Sequence, residues 1–341
     1  MKLPLLLLLV PLHAQGPRHP DAVMKKARKE AGIPAIGTIS FDSDKILQIS
    51  SIGTTRADKE IPVEKNAAWH IGSDTKAMTA TLMAVLVEKN LIEWDTTMAG
   101  VFPELTKKFH PDAKKITITQ LLSHTAGLPA NPRPIERTKS RLAVTKIGLA
   151  LEPQEGFLYS NYGYIIAGAV IEKLLRTTWE KAIVKHLFKP LGIKSVGFGA
   201  PKGTKTIRGH HNGKPVGTGF LGDNPTLYGP AGGLHLTLSD WALFCQDQIK
   251  GHHGKGKLLK QASYQKLHTP VEKNYALGWG TRSEDGKVTI LSHDGSNTMW
   301  YARATLDLVK KTGYCVAINT ASDEAKKWIP KIAESIAPHV K

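Results

Sequence analysis

The segment Trp69-His70-Ile71-Gly72-Ser73-Asp74-Thr75-Lys76-Ala77-Met78-Thr79-Ala80 opens a long apolar helical pattern. From Ser73 to Lys89 there is no Gly or Pro, and Met78, Leu82, Val85 and Leu86 recur at helical spacing. Ser73 follows Gly72 and sits where an N-terminal cap belongs. Three residues are about one helical turn, so Ser73 and Lys76 share a face and their heads can meet. A helix N-terminus adds free N–H groups and a positive dipole end, which favour developing negative charge. A buried lysine with lowered proton affinity can accept the proton of a serine hydroxyl and so activate it.

The spacing alone is common. With 16 Ser and 36 Lys in 341 residues, chance gives about 1.7 Ser-x-x-Lys pairs. Ser263-Tyr264-Gln265-Lys266 fits as well, on a polar stretch that reads as a solvated helix face. A second element, Tyr159-Ser160-Asn161, precedes a helical pattern over Tyr162 to Leu175. With 8 Tyr and 9 Asn, chance gives about 0.2 such pairs, so this one carries more. A tyrosine hydroxyl relays protons, and an asparagine amide holds both a substrate carbonyl and a lysine ammonium. The competing reading is a helix cap beside a core tyrosine. The third element, His293-Asp294-Gly295, ends a β run, but His70-Ile71-Gly72, His211-Asn212-Gly213 and His252-His253-Gly254 share its pattern. The last two read as surface loops and His70 as a packed residue. None of these histidines has metal-ligand spacing with other donors, so no metal site is expected.

Outward from these elements, Asp21 to Ala31 reads as an amphipathic helix. Pro34 to Phe41 and Lys45 to Ile52 read as two strands around an Asp42-Ser43-Asp44 turn. A helix-rich middle follows, broken by prolines, with helices at Ile118 to His124, Tyr162 to Leu175 and Trp179 to Leu187. Ser195 to Gly233 is a Gly/Pro-rich loop with a small hairpin at His211-Asn212-Gly213-Lys214, and Leu238 to Ile249 is helical. Tyr275 to Thr281, Val288 to His293 and Trp300 to Leu308 read as strands, Gly313 to Asn319 as a fourth, and Ser322 to Ile336 as a closing helix. Strands at both ends with helices between predict an α+β, three-layer α/β/α architecture. An antiparallel sheet is assembled from the two termini, and a mainly helical lobe is inserted at roughly residues 90–230. Residues 21–341 then form one catalytic domain, with a cleft where the lobes meet.

Composition narrows the classes. At 41% hydrophobic and 22% charged with only 2 Cys, the chain is neither a coiled coil, a disordered tail nor a disulfide-stapled miniprotein. Its longest apolar run, Leu3 to Leu12 after Met1-Lys2, is too short to span a membrane but fits a secretory leader over residues 1 to about 20. That implies export to a periplasmic or extracellular space. The net charge of +17 suits anionic envelope polymers. No basic run is interleaved with aromatics to stack bases, so nucleic acid is not expected as a partner. Cys245 and Cys315 each sit in an apolar run, where a free thiol behaves as a small hydrophobe. An oxidising compartment would also permit a bridge between them.

Taken in order, the three elements resemble the serine β-lactamase and penicillin-binding protein superfamily. The likeness is to the branch of class C β-lactamases, D-Ala-D-Ala peptidases, D-aminopeptidases and family VIII-type carboxylesterases. The segments Leu121-Leu122-Ser123-His124-Thr125-Ala126-Gly127-Leu128-Pro129 and Pro230-Ala231-Gly232-Gly233-Leu234 look like family segments too. The likeness covers roughly residues 21 to 337. It implies that Ser73 is the acylated nucleophile and Lys76 its proton acceptor or electrostatic support. Tyr159 would relay the proton to the leaving group, and Asn161 would position the substrate. His293 stands in for the lysine of the commoner Lys-Thr-Gly strand motif. The N–H groups of Ser73 and of Ser296, after Gly295, would form the oxyanion hole. No cofactor is implied.

Two departures bear on the substrate, a small molecule or short peptide. His293 need not carry a permanent charge. Asp294 replaces a residue that is often threonine, and would repel a substrate carboxylate if it faced the pocket. Both favour a neutral ester, or a peptide with a free amine, over β-lactams and D-Ala-D-Ala peptides. The competing readings are a sensor that acylates once or never, and a basic envelope-binding protein with vestigial chemistry.

Overall fold

The computed structural model describes residues 20–217 and 222–337. The expected leader lies outside them, except that Pro20 opens the first helix.

Seven strands form the central sheet, and every neighbouring pair in it is antiparallel. Three come from the N-terminal side: β1 (Ala35–Asp42), β2 (Ile46–Arg56) and β3 (Lys59–Pro62). A minor three-stranded sheet follows, made of β4 (Ala68–His70), β5 (Gly197–Phe198) and β8 (Leu234–Thr237). A two-stranded hairpin pairs β6 (His210–His211) with β7 (Lys214–Pro215). The C-terminal side supplies β9 (Gly280–Glu284), β10 (Lys287–Ser296), β11 (Tyr301–Asp307) and β12 (Thr312–Ile318). The order β3-β2-β1-β12-β11-β10-β9 joins the two ends of the chain through the β1–β12 pairing.

Five helices matter most for the site: α1 (Pro20–Ala31), α2 (Thr75–Glu88), α3 (Asn161–Leu175), α4 (Leu238–His252) and α5 (Ile329–Ile336). One sheet face is covered by α1 and α5, where Met24, Ala27, Ile36, Val316, Ile318 and Ile332 pack together. The other face meets α4 and the helix-rich middle through Ile39, Phe41, Ala302, Ala304, Cys315 and Ala317. Burial on both faces leaves every β1 residue from Ala35 to Phe41 buried, Thr38 and Ser40 included. The α2 helix lies in the second core, with every residue from Thr75 to Leu86 buried.

Some boundaries differ from expectation. Ser73 is not a helix cap: Gly72–Asp74 is a 3-10 turn, α2 begins at Thr75, and no side chain caps it. The strand expected from Tyr275 begins only at Gly280, because Gly278 (φ +83°) turns the backbone against Lys76 and Ala77 of α2. The closing helix is two pieces, Asp323–Lys326 and α5, with Pro330, which lacks an N–H, in the first turn of the second. Trp179–Ile183 continues as a π-turn over Val184–Phe188, and β3 had no sequence signal. His252 is no loop residue but ends α4, stacked on the buried His268. Ser263 and Lys266 are half-buried on their helix, and Ser263 donates to the Glu88 carboxylate. Cys245 and Cys315 are free buried thiols with sulfurs 4.0 Å apart.

Candidate active site

The site forms where α2, α3 and β10 converge. Strand β9 last pairs with β10 at Ser292, so from His293 to Ser296 that edge of β10 faces the Gly72–Asp74 turn. The approach is close enough to require glycine on both sides. A methyl on Gly72 (φ +51°) would lie 2.6 Å from the Ser296 nitrogen, and one on Gly295 would overlap the Ile71 carbonyl oxygen. The amides of Ser73 and Ser296 thus each follow a glycine on two backbones in direct contact.

Lys76 is fully buried, and its Nζ donates to Ser73 Oγ (3.0 Å), Asn161 Oδ1 (2.7 Å) and the Ala231 carbonyl (2.6 Å). The Asn161 amide is oriented by its own Nδ2, which donates to Asn131 Oδ1 at 2.8 Å. Among these three acceptors only Ser73 also has a proton to give. If the amine is neutral it keeps two donors for Asn161 and Ala231 and turns its lone pair to the Ser73 hydroxyl. Burial pushes Lys76 well below the usual lysine range, opposed only by Asp74.

Tyr159 stands beside Ser73, whose hydroxyl favours its ionised form, and its ring lies 4.9 Å from Lys76 Nζ. Burial pushes its phenol above the ordinary range, so it rests protonated. The residue between Tyr159 and Asn161 does the capping: Ser160 Oγ accepts from Gly163 N–H and donates to the Pro129 carbonyl. Helix α3 is therefore fixed by Ser160, which leaves its two neighbours for the site.

His293 donates from Nδ1 to the Asp294 carbonyl at 2.9 Å, which leaves Nε2 to accept from the Tyr275 hydroxyl at 3.0 Å. Burial, then the nearby Lys76 charge, lowers the ring to about 3, so it is a neutral imidazole. Asp294 is placed differently from the expectation that it repels a substrate carboxylate. Directly opposite Arg303 in the β10–β11 register, it accepts from Arg303 Nη2 (2.8 Å) and Nε, and from the Tyr301 hydroxyl (2.7 Å). Burial raises this carboxyl, but the Arg303 and Tyr301 bonds outweigh it and hold it below the usual range. Its negative charge is spent on that pair.

Sequence reading missed several groups here. Asp74 is buried with no hydrogen-bond partner on either side-chain oxygen. Its burial, then the Asp294 charge, raises it well above the carboxylate range. Tyr275 and Tyr164 complete the aromatic wall around Lys76 and His293. His124, whose ring centroid is 4.2 Å from that of Tyr159, accepts from Ser160 N–H at Nδ1. Burial, then Lys76, lowers it to about 2. Among the described residues no group of His, Cys, Asp and Glu is placed to hold a metal ion, and no helix is long and apolar enough to cross a membrane.

The depressed histidines give a stability prediction. The unfolded chain protonates His124 and His293 below about 6.5, while the folded chain leaves them neutral down to about 2 and about 3. Their contribution is complete above about pH 6.5 and is lost as the pH falls toward 3, by about 2 kcal/mol per ring at pH 5. The melting temperature should fall steadily from pH 7 to pH 4.5, and less steeply in His293→Asn.

A family model described as Beta-lactamase matches residues 20–335. The chain belongs to the beta-lactamase family. Among curated proteins it is 23% identical over 335 residues to Protein flp of Staphylococcus aureus (strain MW2), covering 93% of this chain and 65% of that protein. The chain therefore spans less than two thirds of that relative's length. Among beta-lactamase-family folds, it aligns with the beta-lactamase/D-alanine carboxypeptidase from Pseudomonas syringae at a TM-score of 0.77 and 18% identity, covering 94% of this chain and 98% of that one. The class C beta lactamase from Rhodobacter sphaeroides aligns at 0.75 and 17%, covering 93% and 97%. The beta-lactamase fold, an α+β structure with a mainly antiparallel sheet, is thereby established for this chain.

Proposed function

We propose that the chain is an exported serine hydrolase working through an acyl-enzyme on a neutral ester or a short amide, of esterase or D-amino-acid peptidase type. The observation that carries this reading is Lys76 Nζ, buried and bonded at once to Ser73 Oγ and Asn161 Oδ1. In acylation Ser73 Oγ attacks the substrate carbonyl and Lys76 takes its proton. The carbonyl oxygen becomes an oxyanion facing the Ser73 and Ser296 amides. The protonated Tyr159 phenol gives its proton to the leaving group as that bond breaks, and is reprotonated through Lys76. In deacylation water attacks the acyl carbonyl by the same route, which restores Ser73. Asn161 holds the substrate carbonyl side of the pocket.

The preference for a neutral substrate rests on His293. A neutral imidazole whose Nε2 is occupied by Tyr275 offers no fixed positive charge to a substrate carboxylate. Asp294 no longer contributes to that argument, since its charge is paired with Arg303.

Intact-mass analysis with a penicillin, and turnover of a neutral chromogenic ester, test the proposal beside Ser73→Ala. Ester turnover should fall by at least about 10³-fold in the variant, with no lasting penicillin adduct on either protein. Unchanged turnover in Ser73→Ala would sink the reading. A Ser73-dependent penicillin adduct would keep the nucleophile but move the substrate to carboxylate-bearing scaffolds, peptidase-like if the adduct persists and β-lactamase-like if it decays.

A further inference from the structure

His70, Asp223 and Asn297 form a bridge that the chemistry above does not use. The Gly72 N–H donates to His70 Nδ1 at 3.1 Å, so the ring's proton is on Nε2, which donates to Asp223 Oδ2 at 2.9 Å. The other carboxylate oxygen, Oδ1, accepts from Asn297 Nδ2 (2.7 Å) and from the Asn224 N–H (2.6 Å). Asn297 Oδ1 in turn accepts from the Met299 N–H at 3.3 Å, which fixes the orientation of its amide. The pair is almost dry, with the His70 and Asp223 side chains 0% and 5% exposed, and Trp300 stacks on the imidazole.

A buried His–Asp pair one turn from a nucleophilic serine invites reading as a proton relay. The geometry excludes that, because Gly72 occupies one ring nitrogen and Asp223 the other. What the bridge joins is more telling. One end grips the residue immediately before Ser73, the other the residue immediately after Ser296. These are the outer neighbours of the two serines whose amides flank the Gly72–Gly295 contact. Nothing covalent holds that gap: Gly72 and Asn297 are 225 residues apart (297 − 72). A carboxylate spanning it, with its donors fixed, sets the separation in a way that apolar packing alone would leave looser.

We infer that His70, Asp223 and Asn297 are positioning residues that hold the Ser73 and Ser296 N–H groups at the spacing a tetrahedral oxyanion requires. The inference rests on the acyl-enzyme reading for its functional consequence but not for the bridge itself.

Asp223→Asn separates the two ends. Its side-chain oxygen stays with Asn297 and Asn224, so its NH2 must face the His70 Nε2–H, donor against donor. His70 relieves this by moving its proton to Nδ1, and the Gly72 bond is lost. Imidazole 15N NMR should report His70 as the Nε2–H tautomer in the unmodified protein and as Nδ1–H in Asp223→Asn. Ester kcat should fall about 10- to 100-fold with KM within twofold, since displacing an oxyanion donor costs less than removing one. Affinity for a boronic acid, whose tetrahedral adduct on Ser73 fills the same hole, should fall by the same factor. Asn297→Ala, which cuts the other end and keeps the His70 pair, should show the same kinetic loss with the tautomer unchanged.

An unaltered tautomer in a folded Asp223→Asn, or kcat and boronate affinity intact in both variants, would overturn the inference, as would a loss confined to KM. If the unmodified protein shows no Ser73-dependent turnover, the acyl-enzyme reading fails on that result. The imidazole signals, which need no substrate, still decide whether the bridge exists.

Discussion

Replacing Lys76 with methionine should lower kcat/KM for a neutral ester by about 10³-fold or more and leave a folded protein. Methionine matches the length of the lysine stem, so the space between α2 and α3 stays filled. Two acceptors, Asn161 Oδ1 and the Ala231 carbonyl, lose their donor, at about 1–3 kcal/mol each when buried. Against this, the variant no longer buries an ionisable amine, so the net change in melting temperature should be small beside the loss of activity. The pH profile separates a base from a mere spacer. Lys76 is depressed well below the ordinary lysine range, so its neutral form accumulates at lower pH than an exposed lysine allows. The kcat/KM of the unmodified protein should therefore rise from acid toward mildly alkaline pH, as the proton-accepting form is populated. In Lys76→Met the residual activity should lose that limb. Tyr159 cannot supply the same limb, because burial moves its phenol in the opposite direction. A profile of the unmodified protein that is flat between pH 5 and 9 would contradict the assignment of Lys76 as base.

The contrast between Lys76 and Asp294 explains what could be read from the sequence. Ser73 and Lys76 lie three residues apart on a turn that runs into a helix, and Tyr159 and Asn161 flank one helix cap. Their relations are local, so spacing carries them. Asp294 shares a short motif with His293, yet neighbours on a strand point to opposite faces. Which face meets the cleft depends on β11, where Arg303 and Tyr301 claim the carboxylate. The fold was legible for a similar reason. Apolar runs at the two termini and helical periodicity between them specify the layers, whereas the start of β9 depends on how Gly278 meets α2. The His70–Asp223 pair, 153 residues apart, leaves no mark on local pattern. Asp74 looks like an ordinary polar residue at a helix start until the β10 strand closes over it.

Gly295→Ala should remove most of the activity through a single added methyl group. Gly295 does not adopt a positive φ, so alanine meets no backbone strain there, and the whole effect comes from space. The added carbon would overlap the Ile71 carbonyl and come within 2.6 Å of Asp74 Oδ2. The carbonyl is held by the Asp74 N–H at 3.2 Å and the Ile71 N–H by Leu234 at 3.0 Å, so the turn cannot simply recede. Either β10 or the Ser73 turn must move, and the Ser296 and Ser73 amides separate with it. The expected outcome is a 10²- to 10³-fold loss of kcat, comparable to removing an oxyanion donor, together with about 1–3 kcal/mol of destabilisation from overpacking. Gly286→Ala is the informative control. Gly286 sits in the β9–β10 turn at φ +73° with nothing within 4 Å, so alanine there pays only for backbone strain and should lower the melting temperature without altering kcat. Full activity in a folded Gly295→Ala would mean that the contact between β10 and the Ser73 turn does not set the reacting geometry. The Ser296 amide would then lose its place opposite the nucleophile.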